Sequence, residues 1–272
     1  MNDNQTDLQT LPPAIPPERP AAPPRRSNAR LAAVAALVVT MLIAGVTGFL
    51  ITSRARSGTD FASAVGGSTP ATPPDRDAHA LDDLNVQQSD VTAQYSVALI
   101  PDGDSLTSPT LDLCNATFPS EARRIVRRQV AAVDAVGTLG ISTEAVLYRR
   151  PADAALAFTE LRKLSRTCPN HPVPSPTGGR TLTTRFGPAP DRTWATVANI
   201  ERIAFDVNTT DELGDRERTV AVYLRRGRVL MGVYFPTASG TQASVAGETT
   251  LEGISRVFAS RIAELPASVV TG

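Results

Sequence analysis

The strongest constraint on this fold is an uncharged apolar run, residues 31–51, near the N-terminus. At the helical rise of about 1.5 Å per residue the run is about 31 Å long, which matches a hydrocarbon core of about 30 Å. A secretory signal peptide, the alternative, has a shorter apolar region of about 7–15 residues that ends at a small-x-small site. Ala62-Ser63-Ala64 is such a site, but it lies well beyond the run. We therefore predict an uncleaved transmembrane anchor.

Charge and cysteine predict the orientation of this anchor. More arginines precede the run than directly follow it: Arg19, Arg25, Arg26 and Arg30 against Arg54 and Arg56. The positive-inside rule therefore places the N-terminus in the cytoplasm, by a small margin. Both cysteines, Cys114 and Cys168, lie in the C-terminal part, and an even pair outside the cytoplasm is typical of a structural disulfide. Two buried free thiols in a cytosolic domain are the alternative.

Composition divides the chain into five segments. Residues 1–30 are rich in proline and poor in large apolar residues, so they cannot bury enough surface to offset chain entropy. Residues 52–83 have the Gly, Ser, Thr and Pro content of a flexible linker. The prediction is a disordered cytoplasmic tail (1–30), a transmembrane helix (31–51), a linker (52–83), an extracytoplasmic domain at the cell membrane (84–266) and a C-terminal tail (267–272).

Periodicity within residues 84–266 alternates between strand and helix patterns. A first-turn proline and an apolar stripe predict a helix over residues 151–167, and a capping box beginning at Thr249 predicts a last helix that Pro266 ends. Ser120 is a candidate N-cap, and the residues after it either continue a helix or, as we favour, soon form a hairpin. Alternation predicts strands at residues 91–100, 141–148, 181–186, 193–197, 203–207, 218–224 and 229–235.

These elements predict an α+β fold class. Strands in hairpins with helices at intervals favour an antiparallel sheet with helices packed on one face. This domain would be preceded by the disordered tail and the single transmembrane helix.

The inventory of catalytic side chains is short. His79 and His171 are the two histidines, which leaves no His₂ or His₃ metal site of the usual kind, and no nucleophile elbow, P-loop or dinucleotide fingerprint occurs. The acidic turns at residues 101–104 and 211–215 lack the spacing of a calcium loop. The formal net charge of +0 gives no support to bulk nucleic-acid binding. We expect no catalytic residue, no metal and no cofactor.

Arginine is the most distinctive candidate for ligand contact. Four arginines fall within six positions: Arg123, Arg124, Arg127 and Arg128. Guanidinium groups bind phosphate and carboxylate bidentately, so an anionic envelope polymer or a lipid headgroup is a possible partner. Trp194 could line a ligand groove. The alternatives are a solvated, ion-paired arginine face and a core position for the tryptophan.

Two segments resemble a known family. YRRPADAALAFTELRKLSRTC, residues 148–168, is similar to the strand-then-helix-then-cysteine element of the extracellular sensor domain of PknH-type serine/threonine kinases. RGRVLMGVYF, residues 226–235, with the last helix, is similar to the closing strand and helix of that domain. The likeness spans at most residues 84–266 and implies an actinobacterial, membrane-anchored sensor-type domain. This chain has residues 1–30 where the kinases have a catalytic domain, and one cysteine pair where the kinase domain has two, so the resemblance supplies neither phosphotransfer nor ligand residues.

The expected function is a non-catalytic binding or accessory domain outside the membrane, tethered by its anchor. It would recognise an envelope polymer, a lipid headgroup or a partner membrane protein. An envelope hydrolase or transferase with a dispersed acidic site is one alternative, and two carboxylates converging in one pocket would favour it. A structural role in envelope assembly is another, which differs only in its partner.

Overall fold

The computed structural model describes residues 73–110, 113–175, 179–236 and 243–272, with side chains from residue 77 onward. The predicted tail, the predicted transmembrane helix and most of the predicted linker lie outside these ranges. No helix within them is long and apolar enough to cross a membrane.

Seven antiparallel strands in the described part of the chain form one sheet, in the order β1-β2-β3-β7-β6-β5-β4. The strands are β1 (Tyr95–Leu99), β2 (Arg124–Asp134), β3 (Leu139–Tyr148), β4 (Leu182–Phe186), β5 (Glu201–Asp211), β6 (Arg216–Arg226) and β7 (Val229–Pro236). Tight turns join β2 to β3, β5 to β6 and β6 to β7. The predicted α+β class with an antiparallel sheet is confirmed.

Helices pack against both faces of this sheet. α1 (Pro73–Leu84), α3 (Leu251–Glu264) and α4 (Ala267–Thr271) contribute to one apolar cluster, and α2 (Pro151–Thr167) to another. Along β6, Val222 belongs to the first cluster and its neighbour Tyr223 to the second. The prediction of helices on one face was wrong, because a strand that is apolar on both faces needs cover on both sides. We call the two sides the α3 face and the α2 face.

The folded unit extends beyond the predicted boundaries at both ends. α1 lies in the segment predicted as linker and buries Leu81, while α4 replaces the predicted tail and buries Val269. Arg228, itself 6% exposed, donates to the carbonyl of Val269 at 2.7 Å and pairs with Asp77 at 2.9 Å. Composition underestimated these helices because short helices are stabilised mainly by tertiary packing.

Several elements that the sequence predicts from short-range patterns are present in the structure, and others differ from the prediction. α2 has the predicted bounds, and Cys114 and Cys168 form the predicted disulfide, with Cα atoms 6.0 Å apart. Ser120 lies inside a 3₁₀ turn, Pro119–Arg123, instead of capping an α-helix, and β2 begins immediately afterwards. The cap of α3 is Thr250, whose hydroxyl accepts from the Gly253 N–H at 3.0 Å, and residues 193–197 are not a strand.

Gly227 offers a test of how α4 packs on the β6–β7 turn. It has a φ of 56°, and a Cβ there would overlap the Val270 carbonyl. We expect Gly227→Ala to lower the free energy of unfolding by about 2–4 kcal/mol, through left-handed strain and overpacking. Gly214→Ala is the control, since φ is 85° and no heavy atom lies within 4 Å of its Cβ position; about 1–2 kcal/mol is expected. Equal losses in urea unfolding would contradict the packing of α4 on this turn.

Candidate functional site

A cleft of about 520 Å³ opens on the α2 face of the sheet. We call it the polar cleft. Its floor comes from β2, β3, β6 and β7, and one wall comes from the loop that follows β1. The polar side chains that line it are Asp102, Ser108, Arg127, Gln129, Ser142, Glu144, Glu217, Thr219 and Tyr234.

A buried ion pair lies in the floor of the polar cleft. Arg127 Nε donates to Glu144 Oε1 at 2.5 Å, and the two side chains are 3% and 2% exposed. The same guanidinium donates to the Asp102 carbonyl at 2.7 Å and to the Gln129 side chain. Tyr234 donates its hydroxyl to Glu144 Oε2 at 3.0 Å. Because a buried charge is tolerated only when paired and hydrogen-bonded, these contacts fix the shape of the floor.

The strand register explains why these residues meet. Gln129 is paired with Glu144, and Arg127 with Val146, across the β2–β3 ladder. Directly paired residues share a face, so Arg127 and Glu144 are diagonal neighbours on the α2 face. Such neighbours are within reach of a long arginine side chain.

A second ion pair, between a buried arginine and a half-buried glutamate, continues this network away from the cleft. Arg124, 3% exposed, pairs with Glu121 at 2.8 Å and donates to Thr110 Oγ1 at 2.6 Å. The Thr110 hydroxyl in turn donates to Glu144 Oε1 at 3.0 Å. The network therefore holds two arginines and two glutamates. It is neutral as a whole, and it pins the loop after β1 to the sheet.

The rim of the polar cleft carries acids. Asp102 and Glu217 are exposed residues that line it, whereas Arg127 is neutralised by Glu144. The lining therefore has an excess of negative charge. This charge favours neutral polar or cationic ligand groups over the anionic ligand that the arginine cluster suggested.

The structure does not gather the predicted contact residues in one place. The ion-paired alternative, with Glu121 among the acids, agrees with the pairs that Arg124 and Arg127 form, but both arginines are buried, so the expectation that they are solvated is wrong. Arg123 pairs with Asp153 at 2.7 Å at the start of α2, and Arg128 pairs with Asp82 of α1 at 3.0 Å. Of the four arginines, Arg127 lines the polar cleft. Ligand contact by any of them stays a prediction.

Trp194 lies elsewhere, in the segment between β4 and β5. It is half-buried against the apolar cluster of the α3 face, and the Arg202 guanidinium lies 5.4 Å from the centre of its ring. Arg202 also donates to the Trp194 carbonyl at 3.1 Å. The side chain therefore has the core-anchoring position that the sequence left open as an alternative.

Two titratable groups beside the network have shifted pKa values. Burial, and then the nearby Glu121 charge, raise the pKa of the Tyr148 phenol, which therefore stays neutral at physiological pH. A hydrogen bond from Arg150, and then one from Arg123, lower the pKa of Asp153 in the first turn of α2. The contact with Arg123 ties α2 to the 3₁₀ turn that precedes β2.

Sequence reasoning missed Glu144, Tyr234 and Gln129. One signal could have found Glu144: it is the single charged residue in β3, a strand that is otherwise apolar or hydroxyl-bearing. A charge in such a strand points to a buried partner. Within the described residues, no group of three His, Cys, Asp or Glu side chains could hold a metal ion.

Comparison with known proteins gives loose structural neighbours. No protein family matches the chain, and no curated protein matches it. The extracellular domain of PknH from Mycobacterium tuberculosis is similar at a TM-score of 0.37 and 14% identity, covering 72% of this chain and 96% of that one. An uncharacterized protein from Mycobacterium smegmatis is similar at 0.35 and 11%, covering 71% and 96%. The loose resemblance predicted from the sequence is confirmed.

Proposed function

We propose that this chain is a non-catalytic, sensor-like binding domain held outside the cell membrane by a single N-terminal helix, with the polar cleft as its ligand site. The observation that carries this proposal is the cleft itself: an open volume of about 520 Å³ over a buried and fully engaged ion pair. Ligand sites combine an apolar lining with a few fixed polar groups. Arg127, Glu144 and Tyr234 are such groups.

The chemistry of the cleft favours a polar ligand without net negative charge. Asp102 and Glu217 stand at the rim, and Ser142 and Thr219 offer hydroxyls. A neutral, hydroxyl-rich segment of an envelope component, or an amine, suits this lining. Glu144 already accepts from Arg127, Thr110 and Tyr234, so its lone pairs are committed to structure and not to proton transfer. This commitment removes Glu144 from proton transfer, whereas Asp102 and Glu217 line the same cleft, so recovery of the ligand decides between binding and the hydrolase or transferase alternative.

The proposed topology has a direct test. We expect a reporter that is active only outside the cytoplasm to be active when it is fused after Gly272. The positive-inside bias around residues 31–51 and the Cys114–Cys168 disulfide support this orientation. A cytoplasm-only reporter serves as the paired control. Activity of that second reporter at the same position would reverse the topology.

Site-specific photo-crosslinking in the native membrane tests the cleft. We would replace Asp102, which is exposed at the cleft rim and does not line the arginine-bearing groove described below, with a photoreactive residue, and Glu264, exposed near the end of α3, in a matched control. A defined envelope-derived adduct is expected at position 102 and not at 264, and mass spectrometry would identify it. The same adducts at both positions would contradict the proposal.

A second readout separates binding from catalysis. After incubation of the full chain with the captured component, the component is expected to be recovered unchanged. Recovery of cleaved or transferred fragments, with loss of that activity in Glu217→Gln, would favour the enzyme instead.

A further inference from the structure

The α3 face carries a second surface at one corner of the sheet, formed by β4, β5 and β6. Along β6, the residues on this face change from buried Val222 and Val220 to exposed Arg218 and Arg216. Apolar cover therefore gives way to solvent within one strand. This end of the sheet face is therefore open to solvent and able to contact a polar neighbour.

The strand register arranges six polar side chains in two rows on this corner. Asn208 of β5 is paired with Arg185 on one side and with Arg218 on the other; Thr210 is likewise paired with Thr183 and Arg216. Paired residues share a face, and neighbouring strands lie about 4.8 Å apart, so Arg185 and Arg218 begin about 10 Å apart. All six line one groove of about 680 Å³, which Thr209 and Glu217 also border. We call them the arginine grid.

The arginine grid has unmatched positive charge. Arg218 is held by both carboxylate oxygens of Asp206, each at 2.8 Å. Arg185 and Arg216 are exposed, and neither has an ion pair or a side-chain hydrogen bond within the part of the chain that the structure describes. On this face three guanidiniums meet one carboxylate, that of Asp206; Glu217 borders the groove, but alternation along β6 directs its side chain to the α2 face. The asparagine amide and the two threonine hydroxyls add further donors.

We propose that the arginine grid binds an extended polyanion, a polymer with repeated phosphate or carboxylate groups. Guanidinium groups bind both oxyanions bidentately, and the three arginines are spread over three strands. The three arginines start from three neighbouring strands about 4.8 Å apart, so a polymer can place successive charges on separate arginines. A lipid bilayer fits less well, because the β5–β6 turn beside the grid exposes Glu212 and Asp215.

Binding must come from this local patch, since the formal net charge of the chain is +0. The experiment uses the full chain in neutral detergent and labelled polyphosphate, with fluorescence anisotropy at several salt concentrations. The test variant is R185Q/R216Q. The control is R149Q/R192Q, which removes the same charge from exposed arginines outside the grid.

The R185Q/R216Q variant is expected to bind polyphosphate at least about tenfold more weakly. The slope of log K against log salt concentration should decrease in magnitude by about two, because two arginine contacts are lost. The control should stay within about twofold of the unaltered chain. Circular dichroism checks that both variants fold.

Three results would overturn the proposal. One is no binding of polyphosphate to the unaltered chain, and another is an equal loss in both variants, which would indicate general charge. The third is competition by inorganic phosphate, or by vesicles of anionic lipid, as effective as that of polyphosphate at equal phosphate concentration. Because the grid and the polar cleft lie on opposite faces, this result is independent of crosslinking in the cleft.

Discussion

Replacing Arg127 with methionine is expected to lower the free energy of unfolding by about 3–5 kcal/mol, because it leaves a buried carboxylate without its counter-ion. Glu144 is 2% exposed and would keep the hydroxyl donors of Thr110 and Tyr234, so its charge would be hydrogen-bonded but unpaired. The Asp102 carbonyl would lose a donor as well. Urea unfolding of the full chain in detergent, followed by the fluorescence of Trp194, measures the change.

Two further variants test whether the lost ion pair causes this loss of stability. Arg128→Met removes the neighbouring arginine of β2, whose pair with Asp82 is partly exposed at 26% and 50%, and should cost less than about 1 kcal/mol. Arg127→Met combined with Glu144→Leu removes both buried charges and should recover most of the stability. If Arg127→Met and Arg128→Met cost the same, the ion pair does not hold the floor of the cleft.

Replacing Cys114 with serine is expected to lower the free energy of unfolding by about 4 kcal/mol, because the disulfide closes a long loop in the unfolded chain. The sequence separation is 54 residues, and Cys114 is itself 1% exposed. The corresponding fall in melting temperature is about 10 °C for a domain of this size. Leu113, next to the bridge, lines the polar cleft, so the same variant should weaken ligand capture there.

Reduction provides the control for the disulfide. The double variant Cys114→Ser/Cys168→Ser should melt at the same temperature as Cys114→Ser, and a reductant should lower the melting temperature of the unaltered chain alone. An unchanged melting temperature in Cys114→Ser would show that the bridge adds nothing to the fold.

The two proposed sites lie on opposite faces of the sheet and carry opposite charge. The polar cleft on the α2 face has acids at its rim, whereas two arginines of the grid on the α3 face, Arg185 and Arg216, have no ion pair with any residue that the structure describes. The acids at the cleft rim disfavour the polyanion that suits the grid, and Asp102 lines the cleft but not the groove, so crosslinking at Asp102 and polyanion binding at Arg185 report on separate surfaces.

The sequence by itself determined the elements whose signals are local. The bounds of α2 follow from a first-turn proline and an apolar stripe, and the alternation in β6 and β7 identified both strands. The disulfide could be predicted because a chain with two cysteines allows one intramolecular bridge. The α+β class follows from these elements together.

Only the tertiary structure decided where the polar residues lie. A shift of one residue in strand register moves every side chain to the other face, and composition does not specify the register. The sequence alone suggests that Arg124 and Arg127 are surface cations. The pairing of β2 with β3 instead places Arg127 beside Glu144 in a buried ion pair. Arg185 and Arg216 are far apart in sequence and meet through the strand order β4-β5-β6. Non-local pairing brings distant charges together, and a single sequence does not record which strands become neighbours.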